Sequence, residues 1–278
     1  MISRCAIPPQ RGPKSGTRHR RAEPPRLAAL QIDSPTLICY LTKKLLMISY
    51  PSQWPDFRFA SDRSFLVTLG NEISESCHRE VLRLSRLLLD HPHKGILNIH
   101  PAYASVLVTF DPMVVSPTDL EGYIRPLMEN AGSLVLPEPR TVEIPVCYGG
   151  EFGPDLEDVA SHNKLSTDDV VRLHSSVSYQ VYFLGFAPGF PYLGGMLKQI
   201  AMPRLATPRT KVPAGSVAIG GDQTGIYPLS TPGGWRIIGR SPLKLFSRDR
   251  IRPTLLEMGD HVKFVPITRD MFAQQNIG

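Results

Sequence analysis

Gly185 to Gly234 is the stretch that most limits what this chain can become. Its fifty residues hold ten glycines and seven prolines, and only five charged side chains: Lys198, Arg204, Arg209, Lys211 and Asp222. Gly and Pro at this density usually mark a linker or a low-complexity segment. Here they are interleaved with Phe, Tyr, Leu, Ile and Val, whose burial offsets the entropy of ordering the backbone. The stretch therefore reads as a folded platform of short strands and shaped loops, and as the place where function should sit.

The 278 residues suffice for one large or two ordinary domains, and 42% apolar content supports a true core. The net charge of +6 does not spread over the chain. Residues 1–46 carry nine Lys/Arg against Glu23 and Asp33, which leaves the remainder at −1. A nucleic-acid partner requires a basic face on the folded part, and the balanced body offers none. Cys5, Cys39, Cys77 and Cys147 are far apart, with no C-x-x-C pair and no Cys/His cluster. No metal site is expected, and a reducing cytoplasm is the simplest compartment. No apolar run reaches the ~20 residues needed to cross a bilayer.

Residues 1–55 are basic, Pro-rich and without apolar period, as in a disordered extension. Two further readings stand beside this one: Met47 as the true start, and an Arg-rich targeting segment. From Asp56 to Leu136 the expected order is strand, helix, strand, strand, helix, strand. The first strand covers Phe57–Leu69, bent near Ser61-Asp62. A helix capped by Ser74 or Ser76 runs to Leu89, with Cys77, Val81, Leu84 and Leu88 as its buried stripe. Strands follow at Ile96–Ile99 and Ser105–Phe110. Ser116-Pro117-Thr118-Asp119 opens a second helix, and Leu134–Leu136 is the last strand. This is the ferredoxin-like, split βαβ pattern. His91, His93 and His100 read as surface histidines, and Pro137-Glu138-Pro139 as a stiff linker.

The second unit spans 140–268, with 269–278 as a tail. Thr141–Cys147 is a strand; helices follow from Asp155 or Gly153-Pro154 to about His162 and from the Ser166 capping box to about His174. Short strands are then expected at Tyr179–Leu184, Ser216–Ile219, Ile226–Leu229, Trp235–Gly239, Leu243–Phe246 and His261–Val265. Strands this short and frequent point to a closed barrel.

Several motifs in this unit occur together and in order. They are Val142–Gly150, Gly153-Pro154-Asp155-Leu156, Leu173-His174-Ser175-Ser176, Phe183–Gly194, Val212–Val217, Gln223–Pro228 and Thr231–Trp235. In this the chain resembles the family of 5-oxoprolinase B subunits (PxpB), also called the KipI or allophanate hydrolase subunit 1 family. The resemblance covers residues 57–268. It implies an α+β chain, with a small ferredoxin-like α/β N-terminal domain followed by a cyclophilin-like β-barrel. It also implies a non-autonomous, ATP-hydrolysing hydrolase component with no cofactor of its own, ATP being used by the assembled complex. The implied partners are a C-type subunit, similar to allophanate hydrolase subunit 2, and an A-type subunit, similar to LamB/YcsF proteins. Two alternatives come with the family: inhibition of a sensor histidine kinase, as by KipI-type members, and a carboxyltransferase part related to urea carboxylase.

The residues themselves supply no self-sufficient catalytic set. There is no P-loop, no G-x-S-x-G elbow and no H-E-x-x-H. His174 reads either as an acid/base group facing the Pro-Gly loop or as a histidine at a helix C-terminus. Arg209 is either an anion clamp or a surface ion pair. Gln223, Thr224 and Tyr227 are hydrogen-bonding groups for an amide or lactam, or stabilisers of turns; His174, Arg209, Gln223 and Tyr227 are the catalytic candidates among these residues. Around these four catalytic candidates, the expected substrate- or partner-binding residues are Ser175, Phe186, Pro188, Gly189, Phe190, Tyr192, Pro213, Gly215, Ser216, Thr231 and Gly233.

Overall fold

The computed structural model describes residues 54–275 apart from 131–133, 135 and 137. The expectations for residues 1–53 lie outside the described residues. Phe57–Leu69 is not one bent strand. Asp62-Arg63 turns the chain back, so that β1 (Asp56–Ser61) and β2 (Ser64–Thr68) pair antiparallel, with Phe59 opposite Phe65. Helix α1 (Glu75–Asp90) starts where Ser74 Oγ accepts the Cys77 N–H. Strands β3 (Ile96–Pro101) and β4 (Ser105–Phe110) follow, and α2 (Pro117–Glu129) is capped by Ser116, with proline in its first turn.

Among the described residues the sheet order is β1-β2-β4-β3, all antiparallel. Phe65 and Val67 on β2, and Val106, Val108 and Phe110 on β4, alternate into one buried face, as period-two strands must. Val81, Leu84 and Leu88 of α1 and Leu120 and Ile124 of α2 close over it. The expected strand at Leu134–Leu136 is corrected: neither residue is in a strand. The sheet edge beside β2 is filled instead by β1, the half of the hairpin that the sequence did not separate.

The rest of the chain builds a barrel. Its elements are β5 (Thr141–Tyr148), α3 (Leu156–His162), α4 (Thr167–Ser176), β6 (Ser178–Leu184), β7 (Pro191–Gly194), β8 (Arg209–Val212), β9 (Ser216–Gly220), β10 (Gln223–Ile226), β11 (Thr231–Gly233), β12 (Arg236–Arg240), β13 (His261–Pro266) and α5 (Arg269–Gln275). Seven strands close in the order β10-β7-β6-β13-β5-β12-β9, while β8 and β11 form a separate two-stranded ribbon. A closed barrel of this kind is consistent with the cyclophilin-like barrel that the resemblance implies. Closure leaves no unpaired edge on the ring. It depends on β5 and β13, which pair parallel from His261↔Thr141 to Pro266↔Val146.

Four local expectations change. The strand expected at Ile226–Leu229 lies earlier, at Gln223–Ile226, because it pairs with β9 through the Gly221-Asp222 turn. Leu243–Phe246 makes only an isolated bridge, Phe246 to Thr254. Helix α4 continues two residues past His174, so Ser175 and Ser176 are helical rather than a turn. The tail contains a helix, α5, whose Phe272 packs 4.4 Å from Phe152 between ring centroids.

Helix α4 presses His174 into the barrel core, where the ring is 0% exposed. Tyr148 Oη lies 2.8 Å from Nδ1, and Nε2 lies 2.8 Å from Thr224 Oγ1. Thr224 in turn donates to the Ala218 carbonyl at 3.1 Å. With the Thr224 proton used there, its oxygen accepts from Nε2–H, and Nδ1 accepts from Tyr148. The ring also stacks on Phe264 at 4.5 Å. Burial lowers the His174 pKa to about 3. His78 on α1 is likewise buried, edge-on to Tyr182 at 4.8 Å, and burial lowers its pKa to about 4 against the attraction of Glu75.

Two outcomes follow for stability. His174→Ala removes a stacked ring and leaves the hydroxyls of Tyr148 and Thr224 without this partner, so urea unfolding should show a loss of about 3 kcal/mol. Both histidines have folded-state pKa values below the unfolded value. Their neutral forms favour folding fully above pH ~6.5, and this contribution is lost as pH falls towards about 3 for His174 and about 4 for His78. Thermal unfolding should show little change near pH 7 and a steepening loss below pH ~6.5, averaging about 1 kcal/mol per pH unit for each histidine between pH 7 and 5. An unchanged midpoint across that range contradicts the neutral assignment.

Candidate functional site

The Gly185–Gly234 stretch folds around an aromatic cluster. Phe190 is its centre, edge-on to Tyr192 (5.5 Å), Tyr227 (5.5 Å) and Trp235 (5.8 Å). These rings come from different elements: Phe190 precedes β7, Tyr192 lies on β7, Tyr227 follows β10, and Trp235 precedes β12. Glycine makes their close approach possible. A Cβ on Gly220 would lie 2.6 Å from the Trp235 ring, and one on Gly233 would lie 2.4 Å from Tyr227 Oη.

Above the cluster lies a recess of about 310 Å³, walled by Phe186, Phe190, Tyr192, Tyr227 and Trp235, with Arg204 and the Gly233-Gly234 backbone at its border. Phe186 is 64% exposed and sits at φ 61°, a region that a bulky side chain rarely adopts. The loop enforces this: Gly185 N–H donates to Phe190 O, and Phe190 N–H donates to Ala187 O. Strain of this kind is held in place by surrounding structure and collects at functional sites. Burial raises the Tyr227 pKa, opposed by the Trp235 backbone and the positive charges of Arg204 and Arg209. At neutral pH its phenol is thus a protonated hydrogen-bonding group rather than a base.

The larger cleft between α1 and the barrel, about 810 Å³, is a weaker candidate because its arginines are already matched. Arg79 pairs with Glu75, Arg86 with Asp90, Arg252 with Glu257, and Arg140 with Asp260.

Of the four catalytic candidates, Tyr227 alone lines the recess. His174 is in the barrel core with both ring nitrogens engaged. Arg209 lies on β8 and donates from Nη2 to Asp155 Oδ1 at 2.7 Å. Gln223 donates to the Tyr103 hydroxyl in the β3–β4 turn. Ser175 back-bonds within α4 to the Val171 carbonyl at 2.8 Å.

The binding candidates are better gathered. Phe186, Phe190, Tyr192 and Gly233 line the recess, and Pro188 and Gly189 shape the loop that carries Phe186. The Pro213–Ser216 turn holds Tyr227 from both sides: Gly215 N–H donates to Tyr227 O at 2.7 Å, and Tyr227 N–H to Ser216 O at 2.9 Å. Thr231 pairs with Val212 in the ribbon, and its buried Oγ1 has no partner among the described residues. Sequence reasoning missed Arg204, Trp235 and Tyr103. Arg204 and Trp235 carried a usable signal. Arg204 is one of only five charges in an apolar stretch, and Trp235 closes the Thr231–Trp235 motif.

The family described as carboxyltransferase domain, subdomain C and D, matches residues 55–256. The 5-oxoprolinase B subunit of Bacillus subtilis (strain 168) is 45% identical over 218 residues, covering 74% of this chain and 90% of that protein. The protein of the same name from Escherichia coli O157:H7 is 44% identical, covering 74% and 93%. The solved structure of TTHA0988 is 40% identical with a TM-score of 0.66, covering 74% of this chain but 40% of that longer chain. The chain belongs to the family of 5-oxoprolinase B subunits, within the carboxyltransferase C and D subdomain group.

Proposed function

We propose that this chain is the B-type component of an ATP-dependent 5-oxoprolinase, which hydrolyses 5-oxoproline to glutamate together with an A-type and a C-type subunit. The observation that carries this reading is the aromatic recess. Its largely apolar walls, with the phenols of Tyr192 and Tyr227 and the guanidinium of Arg204 in the lining, suit a small ring that bears an amide and a carboxylate. The kinship with named 5-oxoprolinase B subunits selects that ring among others of its class.

A lactam is a poor electrophile, and its hydrolysis needs activation, here by phosphoryl transfer from ATP. The side chains bordering the recess are aromatic or aliphatic apart from Arg204, and burial keeps the Tyr227 phenol protonated. In this reading the chain binds and orients the ring, and the partner subunits supply ATP and the groups that move protons. The longer TTHA0988 chain, 40% of which this chain matches, supports a site completed by further polypeptide. His174 then acts as a positioning residue: it ties β10 to β5 behind the recess rather than touching substrate. The two-part organisation, residues 56–137 and 140–268, and a cytoplasmic location belong to the same reading.

The test is reconstitution. ADP release dependent on 5-oxoproline is expected with all three subunits and absent with this chain alone. Activity of the isolated chain, or none in the full mixture, overturns the reading. Tyr227→Phe, which keeps the ring and removes the hydroxyl, should lower kcat/KM of the full mixture about 10-fold, the value of one hydrogen bond in a desolvated site.

A further inference from the structure

We infer that Arg204, and not Arg209, is the anion-recognising residue of the recess, and that it selects small planar rings carrying a carboxylate; this rests on the proposed function for the choice of ring. Four arginines belong to the segments around the aromatic cluster, and Arg240 donates to the Ala214 carbonyl at 2.9 Å. Arg209 does not line the recess; its Nη2 donates to Asp155, whose other oxygen accepts the Ile237 N–H at 2.6 Å, and its buried Nη1 has no partner among the described residues. Arg236 is used by Asp158 at 3.1 Å and by the Pro203 carbonyl at 3.3 Å. Arg204 forms no ion pair among the described residues, and its guanidinium lies over the Trp235 ring, 5.6 Å from the centroid.

The backbone around Arg204 is pinned on both sides. Met202 and Gly221 exchange two hydrogen bonds of 3.0 and 2.8 Å, and Leu205 N–H donates to Gly234 O at 2.7 Å. A cation–π contact with an indole holds a guanidinium near the ring while its N–H donors stay available, and those donors match a carboxylate in bidentate fashion. A ring lodged against Phe190 and Tyr192 then presents its carboxylate at the border where Arg204 stands. Lysine cannot reproduce this, since its ammonium is a strongly hydrated point charge without a planar fork.

The test compares two ligand pairs, each a carboxylate and its uncharged analogue: 5-oxoproline with 2-pyrrolidinone, and benzoate with benzamide. Binding is measured by calorimetry on the full chain and on the three-subunit assembly, for the parent and for Arg204→Ala and Arg204→Lys. The parent should prefer the carboxylate of each pair. Arg204→Ala should weaken 5-oxoproline binding about 10- to 100-fold, with KM of the assembly rising and kcat changing little, while 2-pyrrolidinone binding stays the same. Arg204→Lys should recover part of the loss, which a folding defect would not. If the assembly hydrolyses 5-oxoproline and Arg204→Ala leaves KM and affinity unchanged, this inference is overturned and the proposed function stands. If the parent ignores 5-oxoproline but prefers benzoate through Arg204, the proposed function fails and the carboxylate site stands. No carboxylate preference in either pair overturns the site itself.

Discussion

Everything near the recess hangs from the pairing of the first barrel strand with the last. β5 and β13 run parallel and lie 120 residues apart along the chain, so the path of all the intervening elements must bring the two strands side by side. Arg140 and Asp260 clasp the start of this ladder. Arg140 Nε and Nη2 donate to the two carboxylate oxygens at 2.9 and 2.5 Å, and Asp260 also accepts the Glu257 N–H. Once the ring is closed, β9, β10 and β12 hold fixed positions. The aromatic side chains at their ends converge because the barrel gives them nowhere else to go.

The same closure explains the fate of His174. A histidine inside a barrel loses its solvent and must find partners on the wall, and Tyr148 and Thr224 supply them from β5 and β10. The network reads as a strut, and the lowered pKa is a consequence of its burial rather than a sign of acid/base duty. Perturbed titration marks functional sites only when the group can also meet a substrate. Tyr227 meets both conditions, because it is buried along most of its length yet borders the recess.

Much of the fold was legible in residue order. The Ser74, Ser116 and Ser166 caps, the Val81-Leu84-Leu88 stripe and the alternation of β4 each follow from local chemistry within a few residues. The hairpin in Phe57–Leu69 was not legible, because Asp62-Arg63 lacks the glycine that usually announces a two-residue turn. The ribbon of β8 and β11 was hidden for another reason: each strand is four residues or fewer, and each contains or adjoins proline. The aromatic candidates Phe186, Phe190, Tyr192 and Tyr227 were found because they sit in dense motifs. Choosing between the arginines was beyond reach, since the carboxylate that occupies Arg209 lies 54 residues away on the approach to α3.

By itself the sequence determined that Gly185–Gly234 would be ordered, strand-rich and apolar, because only burial of its aromatic residues could hold so many glycines and prolines in place. It also determined where helices begin and which faces they bury. Tertiary structure alone decided which polar groups face one another: His174 turned inward to Thr224, Arg209 was taken up by Asp155, and Arg204 was left over Trp235 without an acidic partner among the described residues. The physical reason is range. Caps, turns and stripes are fixed by neighbours in the chain, whereas the availability of a charge depends on every element that packs against it.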